Sequence, residues 1–255
     1  MLIYCFEQNR VESTLKKCRR NDLAVIDSDN IDPDIIRKAV KRGVHVYGYI
    51  NIGALEKERS YYNRFKYLRI AKYAGWNGEY WVDPTNMKWC EHIYKLALQI
   101  KDTGAIGVYL DNTDIYYMCK EGFREEKAEI ITRIPSPENV YNSLAYMVVK
   151  ITVGTKLIVM PNGGDLFVKR FIEHNPHVIA TINQEGLFYE NFKKQPPSET
   201  EYRKKYMEWC SKHIIGKVRG IEYCKDEKAI KEIKRFYRSQ NWDVYISPTK
   251  NLTGL

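Results

Sequence analysis

No apolar run in this 255-residue chain approaches the ~20 residues needed to span a bilayer, so no membrane helix is expected. The N-terminus, MLIYCFEQNR, lacks a basic segment followed by a long apolar core. The chain as given is therefore expected to be cytoplasmic, and secreted if a leader stood ahead of Met1. None of the six cysteines (5, 18, 90, 119, 210 and 224) forms a CxxC pair or stands at zinc spacing from a histidine. Buried thiols of a reducing compartment are the expectation. Histidine is scarce, with five in all and none at the C-terminal end of an expected strand, which argues against metal-assisted hydrolysis. A GxSxG elbow is missing, and so are Gly-rich phosphate cradles. No metal and no cofactor are expected.

Acidic charge is in deficit: the net charge is +9, with 14 Lys or Arg against 8 Asp or Glu between Glu190 and Gln240. Such a bias can mark a nucleic-acid surface. In KAIKEIKRFYRS, however, Ile230, Ile233 and Phe236 recur at helical intervals with the lysines on the other side, so a solvated helix face is the simpler reading.

What is present is an alternation of β-rich runs and helical patterns. The runs are LIYCF (2–6), LAVID (23–27), VHVYGYI (44–50), IGVYL (106–110), KLIVM (156–160), HVIATI (177–182), VRGIEY (218–223) and DVYIS (243–247). Amphipathic stretches lie at 11–20, 33–42, 88–102, 138–152, 199–214 and 226–239, whereas FVKRFIEH (167–174) allows only a short helix. Eight strands with helical crossovers predict one domain over 1–255, a single (β/α)8 TIM barrel. A doubly wound sheet would want glycine in its first turn, and EQNRVES has none. Long connections follow strand three (51–87) and strand four (112–137), at the end where barrels place their sites.

Polar residues collect at that end. Strand two ends in Asp27, and strand three runs into Asn51 and Glu56. Strand four runs into Asp111, Asn112 and Asp114, and strand five ends at Asn162. Strand six ends at Asn183, Gln184 and Glu185, and strand seven at Glu222. If Asp111 faces the interior, pleat alternation turns Tyr109 and Gly107 inward too, with Tyr109 as a hydrogen-bonding floor and Gly107 leaving room. With metal, serine and phosphate chemistry set aside, a pair of carboxylates flanking a glycosidic bond remains. Trp76, Tyr80 and Trp81 in the third loop could stack on sugar faces.

These pieces resemble glycoside hydrolase family 114, the endo-α-1,4-polygalactosaminidase-like barrels. The resemblance rests on AVIDSD, YGYINIGALEKERSYY, WVDPTNMKW, GVYLDNTDIY, IVMPNGGDLF, INQEGLFYE, VRGIEYCKD and VYISPTKNLTGL, from about Leu23 to the C-terminus. It implies an endo-acting glycosidase with Asp111 and Glu185 as the catalytic pair, and Glu56, Arg59 and Asp83 as matches to family positions. By analogy with other barrel α-glycosidases, Asp111 would be the nucleophile and Glu185 the acid/base. The implied partner is an α-linked amino-sugar polysaccharide; an N-acetylated or neutral polymer fits as well. Ala54 stands where the family usually has Glu, which keeps open a non-catalytic carbohydrate-binding barrel. A basic RNA-binding protein is a further alternative.

Overall fold

The computed structural model describes residues 1–255. Eight parallel strands form its centre: β1 (Leu2–Cys5), β2 (Leu23–Ile26), β3 (His45–Asn51), β4 (Gly107–Asp111), β5 (Ile158–Pro161), β6 (Ile182–Glu185), β7 (Val218–Tyr223) and β8 (Asp243–Ser247). Strands β1 to β5 pair in chain order, and β6, β7 and β8 pair as a second parallel set. The ladder is interrupted at two seams. At one, the Gly163 N–H donates to the Asn183 carbonyl at 2.9 Å, and Asn162 and Asn183 pair as an isolated parallel bridge. At the other, the Phe6 N–H donates to the Leu252 carbonyl at 2.8 Å and Thr253 bridges Cys5, tying the segment after β8 to the end of β1. Around the strands run α1 (Gln8–Lys17), α2 (Pro33–Lys41), α3 (Met87–Asp102), α4 (Pro137–Thr155), α5 (Asp165–His174), α6 (Pro197–His213) and α7 (Glu227–Ser239). This is the expected (β/α)8 architecture, and no helix is long and apolar enough to cross a membrane.

Local chemistry accounts for most boundaries. Asp32, Asn86, Ser136 and Asp226 cap α2, α3, α4 and α7 by accepting a backbone N–H, and Pro33 and Pro137 open their helices where no donor is needed. One boundary differs from expectation. The run HVIATI reads as a strand, yet β6 starts only at Ile182, because the turn that ends α5 takes up the first part. His177 sits there at φ 70°, outside the extended region. The shift puts Asn183, Gln184 and Glu185 inside β6 rather than after it. α5 is also longer than expected, starting at Asp165 behind Gly164, which takes φ 64°.

Pleat alternation divides the strand side chains into two cores. Val108 and Leu110 pack outward with the helices, while Tyr4, Val25, Tyr47, Tyr109, Met160, Ile221, Tyr223 and Tyr245 point inward as one cluster. The interior thus carries five tyrosines beside its aliphatic side chains. The space at Gly107 is taken by Tyr47: a Cβ at Gly107 would come within 2.3 Å of that ring.

The two long connections fold over the C-terminal ends of the strands. Residues 51–87 build a three-stranded antiparallel sheet from Ala54–Glu56, Arg69–Lys72 and Glu79–Val82. Residues 112–137 wind into short helical turns between Ile115 and Glu125. Ala71 and Ile130 bridge the two segments, and Lys72 pairs with Glu129 at 2.9 Å.

Candidate active site

A cleft of about 640 Å³ opens at this mouth. Its walls include nine of the thirteen residues singled out from the sequence: Asp27, Glu56, Arg59, Asp111, Asn112, Asp114, Asn162, Gln184 and Glu185. Asn51 and Tyr109 lie just behind the surface. Buried Asn51 donates to Glu56 Oε1 at 2.9 Å and accepts from the Asn112 side chain at 3.0 Å. Tyr109 is fully buried below the carboxylates, receives the Asn183 amide at 3.2 Å and lies 3.5 Å from Glu185 Oε1.

Two expected contact residues are elsewhere. Asp83 accepts from the Thr85 N–H at 2.9 Å and from its hydroxyl at 2.7 Å, so it shapes the turn before α3 and does not line the cleft. Glu222 is 0% exposed and points away from the interior, because Ile221 and Tyr223 on either side point in. It accepts the Phe188 and Tyr189 N–H groups and, at 2.9 Å, the Tyr237 hydroxyl, anchoring the chain after β6. Its pKa is pushed up to about 7 by burial. Of the three aromatics in the third loop, Trp76 alone lines the cleft. Trp81 is buried against Tyr73, and Tyr80 sits beneath Arg69.

Asp111 and Glu185 share one ligand. The Asn162 side-chain amide donates to Asp111 Oδ1 at 2.9 Å and to Glu185 Oε1 at 2.8 Å. The two oxygens can be no farther apart than those two hydrogen bonds laid end to end. Asp111 further accepts the Asn112 N–H at 3.0 Å and, at 3.2 Å, shares the single Tyr49 hydroxyl hydrogen with Glu56, which lies at 2.9 Å from that hydroxyl. Glu185 accepts the Tyr223 hydroxyl at 2.5 Å. Burial raises the Asp111 pKa, opposed chiefly by the Asn162, Asn112 and Tyr49 donors. Burial and the Asp111 charge push Glu185 up to about 7.

Beside them, Arg59 ties three carboxylates together. Its side chain is 10% exposed and meets Asp27 at 2.9 Å, Asp29 at 3.5 Å and Glu56. The approach of this loop requires Gly53, since a Cβ there would come within 1.9 Å of the Asn112 carbonyl oxygen. Asn112 itself turns the chain at φ 63°, a conformation that asparagine tolerates. Asp114 accepts the Gly164 N–H at 3.1 Å, with its pKa raised to about 7 by burial and by Asp111.

The sequence reading passed over Tyr49, Tyr73, Glu79, Glu190, Arg203, Tyr223 and Lys250, which all line the cleft. Tyr49 and Tyr223 could have been found by pleat alternation, two residues before Asn51 and two after Ile221. Glu79 and Arg203 carried no such signal, because they arrive on a side sheet and a helix. Arg203 reaches in from α6 to the Glu185 and Gly186 carbonyls, at 2.8 and 2.9 Å, and pairs with Glu190 at 2.9 Å.

A pair of carboxylates at the mouth of a parallel barrel, facing a cleft of sugar dimensions, is the geometry the comparisons with known proteins speak to. Residues 6–251 match the model of the glycoside-hydrolase family GH114. The chain belongs to this family. It is accordingly a glycoside hydrolase, with a carbohydrate substrate. An uncharacterised protein of Thermotoga maritima is 24% identical over 200 residues, covering 73% of this chain and 60% of that protein. In structure, the glycoside hydrolase domain of PelA from Pseudomonas aeruginosa superposes with a TM-score of 0.78 at 15% identity, covering 100% of this chain and 96% of that domain. Aspergillus fumigatus Ega3, solved in complex with galactosamine, gives 0.70 at 15% identity, covering 99% and 90%. At these identities the two structures establish the shared barrel fold. Ala54, the departure from the family pattern, is buried opposite Trp81 and contributes no atom to the cleft wall.

Proposed function

We propose that this GH114 protein is an endo-acting, retaining glycosidase that cleaves α-linked amino-sugar polysaccharide of the galactosamine type, with Asp111 as nucleophile and Glu185 as acid/base. The observation that carries this reading is the single Asn162 amide held by both carboxylates, at 2.9 and 2.8 Å. Retaining enzymes hold their two carboxyl groups ~5–5.5 Å apart, whereas inversion needs ~6.5–9.5 Å to admit a water. A shared amide favours the shorter spacing. Galactosamine in the Ega3 complex and the acids of the cleft support the choice of sugar.

In this reaction Asp111 attacks the anomeric carbon as the glycosidic bond breaks, and the Glu185 proton goes to the departing oxygen. Glu185, now ionised, takes a proton from water, whose oxygen attacks the same carbon and releases Asp111. One bond and one water are consumed, and the anomeric configuration is kept. Roles follow from surroundings. Asp111 receives a fixed backbone N–H beside the Asn162 amide and a share of the Tyr49 hydroxyl, which favour its anion, while Glu185 near 7 keeps a proton to give.

The test is product analysis on a panel of α-linked polymers: deacetylated and N-acetylated galactosaminans and a neutral α-galactan. Oligomers of mixed length from a galactosaminan, with the α-anomer formed first by proton NMR, would support the reading. Cleavage of the neutral polymer alone, or initial release of the β-anomer, would refute it.

A further inference from the structure

The seam between β5 and β6 holds more than a backbone contact. Its parallel bridge puts Asn162 and Asn183 side by side, and their side chains continue the link: the Asn183 amide N–H donates to Asn162 Oδ1 at 2.7 Å. The Asn183 oxygen is taken by the hydroxyl of Tyr4, from β1 across the barrel, at 2.7 Å. The other Asn183 hydrogen goes to the Tyr109 hydroxyl at 3.2 Å. Tyr4 and Asn183 are both 0% exposed.

The chain has one direction. An amide can turn its oxygen or its NH2 toward a neighbour, and only the partners decide which. The ionised carboxylates of Asp111 and Glu185 only accept, so the Asn162 NH2 faces them and its oxygen faces Asn183, whose NH2 donates to it and whose own oxygen takes the Tyr4 hydroxyl. Reversing Asn162 would set its oxygen against two carboxylates. The Tyr4 ring is packed edge-on to Tyr109, at 5.7 Å between centroids, which keeps its hydroxyl oxygen beside Asn183, where its hydrogen completes the chain.

We propose that Tyr4 and Asn183, which nothing at the cleft surface reveals, are positioning residues for the reaction: they lock the Asn162 amide with its donors toward the two carboxylates. The inference rests on the proposed pair, but the lock itself does not depend on the identity of the sugar. Among the groups around Glu185, Asp111 and Glu190 oppose its ionisation and Tyr223 supports it. Arg203 engages the backbone carbonyl of Glu185, and the phenols Tyr4, Tyr73 and Tyr109 complete its surroundings. Against that field, loss of the Asn162 donor leaves the Glu185 anion less well held.

The experiment uses the whole protein with 13C-labelled glutamate carboxyls, followed by NMR across the pH range, so that the readout needs no substrate. In Tyr4→Phe, which keeps the ring and removes one hydroxyl, the Glu185 midpoint is expected to move up by about one pH unit. Asn162→Ala at the mouth, where folding tolerates the change better, is expected to reproduce the shift. Where a hydrolysed polymer is in hand, Tyr4→Phe is expected to lower kcat by roughly tenfold with KM nearly unchanged and to move the pH profile upward with the NMR midpoint. An unchanged Glu185 midpoint in either variant overturns the lock, whatever happens to stability. Inactivity of the wild type on every polymer overturns the proposed substrate and leaves the NMR result standing.

Discussion

Glu56 and Glu79 stand directly opposite one another on antiparallel strands of the side sheet, and both line the cleft. Like charges so placed repel. Glu56 has Arg59, Tyr49 and Asn51 as partners, whereas the Glu79 carboxylate has no donor from the protein, and burial with the neighbouring acids pushes its pKa up to about 8. Glu79→Gln is expected to raise Tm at about pH 9 and to leave it little changed near pH 5. If the substrate brings ammonium groups, the same change should raise KM for a deacetylated galactosaminan several-fold and spare an N-acetylated one. Equal effects on both polymers would mean that Glu79 does not read the amine.

Stability should depend on pH with a definite sign. Asp114, Glu185 and Glu222 are raised to about 7 and Glu79 to about 8, each mainly by burial. A raised carboxyl binds its proton more tightly folded than unfolded, so its contribution is full below the unfolded pKa near 4 and is lost as pH climbs through the folded value. Tm is therefore expected to fall between about pH 5 and pH 8.5. Glu185→Gln removes one of these protons and should flatten the slope. A Tm that rises over this interval would contradict the burial of these acids.

Arg59 is the one cation that Asp27, Asp29 and Glu56 share in their recess. Arg59→Met keeps much of the length and removes the charge. Leaving buried carboxylates unpaired costs about 3–5 kcal/mol. Chemical denaturation should show a loss of this order at about pH 7.5 and a smaller one near pH 4.5, where the acids can take up protons. A loss below ~1 kcal/mol at both would show that solvent already screens the cluster.

The fold was legible because alternation of β-rich and helical runs is a property of whole segments, and because caps such as Asp32–Pro33 and Ser136–Pro137 mark their starts locally. That Asp111 and Glu185, the pair proposed here as catalytic, meet at one cleft was legible from strand ends together with the family motifs. Glu222 was misread for a reason visible in the sequence: alternation applied to β4 but not to β7 would have turned it outward. Asp83 was carried over from a motif, and its turn with Thr85 depends on a local geometry that the motif does not describe. Glu79 and Arg203 were missed because their arrival in the cleft is decided by the packing of a side sheet and of α6. Of the loop aromatics expected to stack on sugar, Trp76 alone reaches the cleft, whereas five of the twenty tyrosines fill the barrel interior, from which the Tyr109 and Tyr223 hydroxyls reach Glu185.

The roles of Asp111 and Glu185 can be separated by azide. An aryl α-galactosaminide with a good leaving group needs little acid assistance, so Glu185→Ala should still form the glycosyl-enzyme but stall before water attack. Azide needs no base; it would attack from the face opposite Asp111 and give an α-glycosyl azide with net retention. Asp111→Ala cannot form that intermediate. There azide would take the vacant place of the carboxylate, attack the substrate directly and give the β-glycosyl azide. Without azide, Glu185→Ala on the natural polymer is expected to lose 10²–10⁴-fold in rate, the usual range for a general acid. Asp111→Asn should lose on the order of 10³ or more, as is usual when a nucleophile is removed. Both residues sit half-buried at the mouth, so both variants should keep the wild-type circular dichroism and a cooperative thermal transition. The stereochemistry of the two azides, read by proton NMR, checks the assignment. A β-azide from Glu185→Ala would exchange the roles, and near-normal activity of Asp111→Asn would remove Asp111 from the reaction.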